Sequence, residues 1–287
     1  MMLLIGFGVV LACVFGSFVA SGGAIGPLVA SMPFELLTIL GAAAGTFLMA
    51  NSAKAIRHLI EAVGRAFKGP RYGKQDYLDL LDLLYQLLRL VQGKGIMAIE
   101  SHIEEPMSSS VFAAFPRIRD DETTRLLICD YLRMIGMNVE DPFQLDEIMT
   151  RELKKNLSED LHISHALQSI ADALPALGIV AAVLGVIKTM ASISKPPIVL
   201  GEMIAGALVG TFLGVLLAYG IVGPLAARIG SVVGEDAGYH NLIRSVLVAH
   251  LQGNPPQVAI EIGRKEVPGD FMPSFQQTEE ALAGRAA

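Results

Sequence analysis

Residues Met203–Ala227 read MIAGALVGTFLGVLLAYGIVGPLAA, without one charged side chain. At a rise of about 1.5 Å per residue, roughly 20 apolar residues cross the hydrocarbon layer, so this run is a membrane helix and not a soluble core helix. Gly206, Gly210, Gly214 and Ala218 recur at every fourth position and form a small-residue stripe along one face. Such a stripe lets a second backbone come close, which is what holds helices together where the hydrophobic effect is absent. The same helix carries a hydroxyl at Thr211, a phenol at Tyr219 and a helix-interrupting Pro224. These are unusual guests in hydrocarbon.

Working outward, the whole chain of 287 residues is 52% hydrophobic and 17% charged, with a mean hydropathy of +0.51. That composition belongs to a membrane protein with a substantial aqueous part. A net charge of -6 and the lack of a basic block exclude a nucleic-acid binder. Cys13 and Cys129 are the only cysteines, too few for a disulfide framework or a thiolate metal site, and both read as small packing residues.

The N-terminal run from Met1 to Pro33 is uncharged. It lacks the basic region of a signal peptide and a second apolar run follows at once, so it reads as a first span at 2–20 and a second at 35–52. Ser21–Pro27, rich in turn residues, reads as the linker between them. Lys54, Arg57, Arg65, Lys68, Arg71 and Lys74 follow the second span and place the chain after residue 53 in the cytoplasm. The stretch to about 165 is too polar for membrane and too long for a loop. Its helical patterns run over Asp76–Leu90, Ile96–Ile103 and Glu122–Ile135, the last stopped by Gly136. Another begins at Asp141-Pro142, with Asp as N-cap and Pro in the first helical position. A third span starts near Ala173 and ends at 188–190, and Glu202 and Arg228 bracket the fourth. Ser231–Leu251 continues as helix, Asn254-Pro255-Pro256 breaks it, and the remainder, with Glu279-Glu280, reads as a loosely held tail.

The expectation is therefore an all-α integral membrane protein with four transmembrane helices and a large helical cytoplasmic insertion between spans 2 and 3. Residues 1–53 hold spans 1 and 2, 54–166 the insertion, 167–228 spans 3 and 4, and 229–287 a cytoplasmic C-terminal helix and tail. Nothing in the chain reads as an enzyme or as holding a cofactor. His162 and His165 share a helix face, yet no carboxylate or thiolate stands at ligand spacing, so no metal is expected. No nucleophile arrangement surrounds the other histidines, and Gly69–Lys74 lacks phosphate-loop spacing.

Ion passage through a bilayer ordinarily leaves an ionisable residue facing a cavity. With the spans placed as above, their centres contain none. The chain is then either structural or the wall of a pathway whose carboxylate comes from another subunit. Pro175 and Pro224 free the carbonyls of Ala171 and Gly220, as hinges or as simple kinks. The Thr211 hydroxyl either faces an ion or bonds back to the carbonyl of Ala207.

Several stretches carry a family resemblance. ALVGTFLGVL at 207–216 with Pro224 after it, LPALGIVAAVLGV at 174–186, Leu83-Leu84-Tyr85, IESHIEEP at 99–106 and PPQVAIEIGRK at 255–265 are similar to the flagellar motor stator subunits of the MotA/PomA family, within the MotA/TolQ/ExbB superfamily. The resemblance runs from Met1 to about Lys265. It implies a multi-pass subunit of the bacterial inner membrane with both termini cytoplasmic, assembled as a pentamer around a MotB-type partner. That partner binds peptidoglycan and supplies the membrane aspartate, and the ring pushes on a rotor switch-complex protein of the FliG type. Pro175 and Pro224 match the family's functional prolines and Thr211 its pore-facing threonine, with Tyr219 grouped in the same pathway. Ala182 stands where sodium-driven members carry threonine; a methyl cannot replace a hydration shell, so the implied ion is the proton. Glu100 matches the rotor-facing glutamate, but the family's arginine is Gln92 here, leaving Arg89 or Lys94 as the cation. An ExbB/TolQ-like energising subunit and a non-conducting membrane scaffold are the alternatives.

Overall fold

The computed structural model describes residues 2–137 and 141–284, and among these every regular element is helical. In chain order these are α1 (Met2–Ala20), α2 (Ile25–Ala50), α3 (Ala53–Lys68), α4 (Lys74–Lys94), α5 (Glu100–Glu104), α6 (Ser110–Ala113), α7 (Pro116–Asp120), α8 (Glu122–Gly136), α9 (Pro142–Met190), α10 (Pro197–Leu217), a π-helical turn (Ala218–Val222), α11 (Gly223–Leu251), α12 (Pro256–Lys265) and α13 (Phe275–Gly284). Two compact units divide the chain: Met1–Gly69 with Asp160–Val232, and Pro70–Glu159 with Val233–Ala287. By length and composition, α1, α2, α9 and the Pro197–Leu251 run can each cross a membrane.

In the first unit a small core joins Ile39 and Ala43 of α2 to Leu174 and Ala181 of α9 and to Val209 and Leu213 of α10. The remaining apolar faces are left open. α1 buries none of its residues, and Cys13 lies exposed on it, contrary to the packing role expected for that thiol. Its Phe15 meets Phe212 edge-on at 5.9 Å. Exposed faces of this size fit lipid or neighbouring subunits.

The second span departs from expectation. α2 starts at Ile25, not at 35, because Gly26 and Pro27 occupy its first turn. N–H groups in the first turn have no intrahelical acceptor, so a proline there loses nothing and its fixed φ suits the helix. Pro33 lies further in and removes one hydrogen bond without ending the helix. The consequence is that Glu35 falls inside the span, and the reading that span centres hold no ionisable group is wrong for α2.

The second unit is built around α4. Leu80, Leu81, Leu83, Leu84, Leu87 and Leu88 are all buried, so this helix is enclosed nearly all round and is not a one-faced surface helix. Its buried acids are satisfied: Asp76 accepts from the Gly73 N–H at 2.8 Å and pairs with Arg117 at 2.6 Å, and Asp82 accepts from Gln86 at 3.0 Å. The C-terminal segment is not a loose tail. Ala259, Ile260 and Gly263 form one buried face of α12, and a Cβ on Gly263 would collide with the Val246 methyl. Buried Arg264 is held by Glu261 at 2.6 Å and donates to the Pro273 carbonyl at 2.8 Å, tying the chain beyond α12 in place. α13 then packs against α4.

A polar knot lies beside this core. The Tyr72 and Tyr239 rings stack at 3.8 Å, and the Tyr72 hydroxyl donates to buried Asp121 at 2.6 Å. Thr124 donates to the same carboxylate at 2.7 Å, and Arg71 pairs with it at 3.2 Å. Burial pushes the Asp121 carboxyl up, but the Tyr72 and Thr124 hydrogen bonds and the charges of Arg71 and His240 outweigh it and leave it below its ordinary value. A carboxyl depressed in the folded state stabilises the fold above its unfolded pKa, and that contribution is lost as pH falls through the folded value. Tyr72→Phe is expected to cost about 1–2 kcal/mol at neutral pH, read as a lower melting temperature by circular dichroism of the purified protein. The gap in melting temperature between wild type and Asp121→Asn should narrow below about pH 4; a gap constant across that range would refute this role.

Candidate functional site

Of the residues grouped from sequence as a pathway, Pro175, Ala182 and Thr211 stand at the levels of the contact between α9 and α10, while Tyr219 and Pro224 lie outside it. The two helices run antiparallel and approach to backbone distance, because the positions at the contact carry no side chain to hold them apart. A Cβ built on Gly178 would lie 2.7 Å from the Gly210 carbonyl oxygen and 3.0 Å from the Gly214 Cα. One on Gly214 would lie 2.7 Å from the Leu174 carbonyl oxygen, and one on Gly185 would meet Ala207 at 2.7 Å. Gly206, Gly210, Gly214 and Ala218 are all buried. The every-fourth-residue stripe of α10 is therefore in contact throughout, with α9 at Gly210 and Gly214 and with Ser31 of α2 at Gly206.

This seam sets the levels of the other residues. Pro175 follows Leu174, whose carbonyl faces Gly214, so the proline stands at the Gly214 level. Ala182 stands at the Gly210 level, its backbone N 3.0 Å from a Cβ placed there. Thr211 follows Gly210 and is half-buried. Its hydroxyl makes no hydrogen bond among the described residues, so the back-bond to Ala207 is not formed. Ser31, Thr38, Thr46 and Thr189 do bond back to carbonyls of their own helices, at 2.8–3.0 Å. Thr211 is left with its oxygen available.

Pro224 does more than kink the helix. Ahead of it the chain widens into the π-helical turn Ala218–Val222, closed by the Gly223 N–H donating to the Ala218 carbonyl. A proline removes a donor, and the wider turn re-pairs the backbone that the missing donor would have served. Ala218 is buried on the inner side of this turn, while Tyr219 is 68% exposed and Pro224 is exposed. Tyr219 is thus not part of the packed seam. Downstream, the Ala226 carbonyl accepts from the buried Ser164 hydroxyl of α9 at 2.8 Å, which pins the far side of the turn.

In the second unit, Arg89, Gln92 and Lys94 lie exposed along the end of α4, and Glu100 is exposed at the start of α5. Gly95, with φ of 79°, ends α4, and a 3₁₀ turn at Ile96–Ile99 separates the two groups. Neither Arg89, Lys94 nor Glu100 makes an ion pair among the described residues. The cation that is engaged near α5 is Arg133, which holds Glu104 at 2.7 Å and Asp130 at 2.7 Å. Sequence reasoning passed over that pair, since Arg133 and Glu104 are brought together only by the packing of α8 on α5.

His162 and His165 are exposed on α9, across a 360 Å³ cleft from Thr46 and Asn51. No group of three potential metal ligands exists among the described residues. Glu35, missed because α2 was expected to start later, reaches the seam at Gly210, with its Oε2 2.8 Å from where a Cβ would stand.

Comparison with known proteins places this arrangement. Residues 4–95 match the family described as Motility protein A N-terminal, and residues 120–237 the MotA/TolQ/ExbB proton channel family. The chain is 39% identical to Motility protein A of Salmonella typhimurium and to that of Escherichia coli, each over 280 residues covering 98% of this chain and 94% of the relative. It is 35% identical to Chemotaxis protein LafT of Vibrio parahaemolyticus, covering 96% of this chain and 95% of that protein. Among solved structures, C. jejuni MotAB superposes with a TM-score of 0.74 at 15% identity, over 96% of this chain and 99% of that one. The flagellar MotAB stator complex from Bacillus subtilis gives 0.64 at 20% identity, over 90% and 92%. At those identities the likeness speaks for the fold.

Because the atoms facing Gly214 are backbone and cannot swing aside, Gly214→Val is expected to destabilise the first unit by about 1–3 kcal/mol. Gly45→Ala, where a Cβ meets nothing within 4 Å, should be neutral or slightly stabilising. Thermal stability of the two variants in detergent, followed by size-exclusion chromatography, checks this; equal losses would remove the special role of the seam.

Proposed function

The chain belongs to the Motility protein A family, and on that premise we propose that it is the membrane subunit of a flagellar stator, forming a proton pathway with a MotB-type partner and turning ion-motive force into torque. The near full-length identity to motility and chemotaxis proteins carries this reading. It also weighs against an ExbB/TolQ-like role in outer-membrane energisation and against a non-conducting scaffold.

In this proposal α1, α2, the C-terminal part of α9 and α10 with the start of α11 are the four spans, and both termini are cytoplasmic in a bacterial inner-membrane protein. Residues 54–166 and 229–287 are cytoplasmic, and 1–53 and 167–228 hold the spans. The α9–α10 seam is the rigid part of each subunit, and five subunits surround the partner. The partner supplies the membrane aspartate and holds to peptidoglycan. The faces of α9 and α10 not used in the seam, with Pro175, Ala182, Thr211 and Pro224, line the pathway; Tyr219, outside the seam, serves at its cytoplasmic end.

One charge moving down the membrane potential releases about 2.3 kcal/mol per 100 mV. Protonation of the partner's aspartate removes its charge and alters how it packs between the Pro175 and Thr211 levels. The ring then steps to the next equivalent arrangement. Two features support a mechanical response in α10–α11: Thr211 has an oxygen uncommitted to its own helix, and the π turn before Pro224 is a natural hinge. A π turn holds its residues by fewer well-aligned bonds than α-helix and shifts at low cost. Torque leaves through the second unit, where Glu100 and the cations Arg89 and Lys94 make no ion pair among the described residues and face a FliG-type rotor protein, Gln92 contributing no charge.

With Ala182 offering only a methyl, rotation is expected to follow the proton gradient. Swimming speed should fall with a protonophore and be indifferent to replacing sodium by potassium; swimming that survives the protonophore and stops without sodium would rule out proton drive. Charge reversal at Glu100 or at Lys94 should slow rotation several-fold at high load while leaving the amount of assembled stator unchanged. Full speed in both variants, measured on tethered cells, would remove these residues from the rotor contact.

A further inference from the structure

Glu35 is an ionisable group inside an apolar span, and nothing in the proposed pathway accounts for it. It lies about 15 Å along α2 from the start of the helix at Ile25, taking about 1.5 Å per residue. Its carboxylate turns toward α10: Oε2 lies 2.8 Å from the point where a Cβ on Gly210 would stand. The same point is 3.0 Å from the Ala181 Cβ and 3.0 Å from the Ala182 N of α9. One carboxylate oxygen therefore reaches the junction of three spans, level with Ala182, through an opening that only glycine leaves.

The neighbours give this site a direction. Ser31, one turn earlier on α2, faces Gly206 as Glu35 faces Gly210, and its hydroxyl donates to the Pro27 carbonyl at 2.9 Å. Ile39, one turn later, is fully buried. Along this face of α2, at four-residue spacing, Ser31 and Glu35 are polar and Ile39 after them is apolar. Among the described residues Glu35 makes no hydrogen bond or ion pair. The cation acting on it electrostatically is Lys188 near the end of α9. The charged groups next along the packed segments are Glu202, exposed at the start of α10 about two turns before Gly210, and Asp172, exposed on α9 about two turns beyond Gly178; His162 and His165 stand further along α9, near Thr46 and Asn51 of the α2 end. α1 carries no charge. An acid with no fixed partner is costly in a span and is kept there for work.

We infer that Glu35 is a proton-holding site of the pathway, upstream of the carboxylate supplied by the partner. Its carboxylate accepts a proton arriving along the Ser31 side, becoming a neutral acid. It then releases that proton at the Gly210–Ala182 junction toward the partner's carboxylate, regaining its charge. This rests on the ion-pathway reading above.

The test uses the complex of the full chain with its partner, opened by deleting the partner's plug region, with proton influx into vesicles read by a pH-sensitive dye. Glu35→Gln is expected to cut influx at least tenfold, and Glu35→Asp to retain most of it, both co-purifying with the partner in the wild-type ratio. In wild-type membranes, dicyclohexylcarbodiimide, which adds to protonated carboxyls in apolar surroundings, should modify Glu35 with a yield that falls as pH rises, located by peptide mass spectrometry. Wild-type influx that persists undiminished in Glu35→Gln overturns the role of Glu35 and leaves the pathway reading standing. A wild-type complex that conducts nothing overturns the pathway reading, and this inference with it. Should Glu35→Gln fail to assemble, absence of the adduct at Glu35 of the wild-type chain overturns the inference, and its presence supports it.

Discussion

Two helices that touch by their backbones, with Gly178 of α9 against Gly210 and Gly214 of α10, hold the membrane unit together. In hydrocarbon no water is released when apolar helices meet, so association depends on close dispersion contact over a matched surface. Removing side chains from both partners maximises that contact and leaves it stiff, since backbone atoms cannot rotate away. Everything proposed for the pathway is referred to this seam. It puts Pro175 at one level and Ala182 at another, and it leaves Thr211 beside the contact with its oxygen uncommitted.

The second unit is stabilised by different physics. There apolar side chains are buried in a large core, with leucines of α4 packed by α12 and α13 and clustered with residues of α8 and α11. Its polar knot at Tyr72, Asp121, Thr124 and Arg71 is satisfied internally, so those charges are committed to folding. Among the described residues the charges at Arg89, Lys94 and Glu100 make no ion pair, and in the proposed function that contrast separates structural ions from ones open to a partner. Surface pairs contribute little to stability in any case, so leaving these three open costs the fold almost nothing.

Much of this was legible in the residues. Apolar length marks α1 and α10 because a bilayer imposes a minimum run, and the glycine spacing of α10 is visible at every fourth residue. Asp141 and Pro142 announce the start of α9, where the Asp141 carboxylate accepts from the Phe143 N–H at 3.0 Å. What escaped has a common cause. Proline carries opposite meanings in a first turn and in a helix interior, and at Pro27 the linker reading concealed nearly three turns at the start of α2 and with them the placement of Glu35. The C-terminal helices escaped because a short amphipathic segment such as α12 is stable only against a partner, here α4 and α11, which lies far away in sequence. The π turn has no signature beyond Pro224 itself, since the extra residue is absorbed in backbone pairing.

That turn also changes how the rest of the helix must be counted. An α-helix advances each residue by about 100°, and the inserted residue at Ala218–Val222 shifts the phase of everything after it by about that angle. The four-residue rhythm that begins at Gly206 therefore ends at Ala218, and a new rhythm starts with Ala226, Ile229 and Val233. The buried positions of the Pro197–Leu251 run therefore follow one count before the π turn and another after it, the two counts differing by a single amino acid.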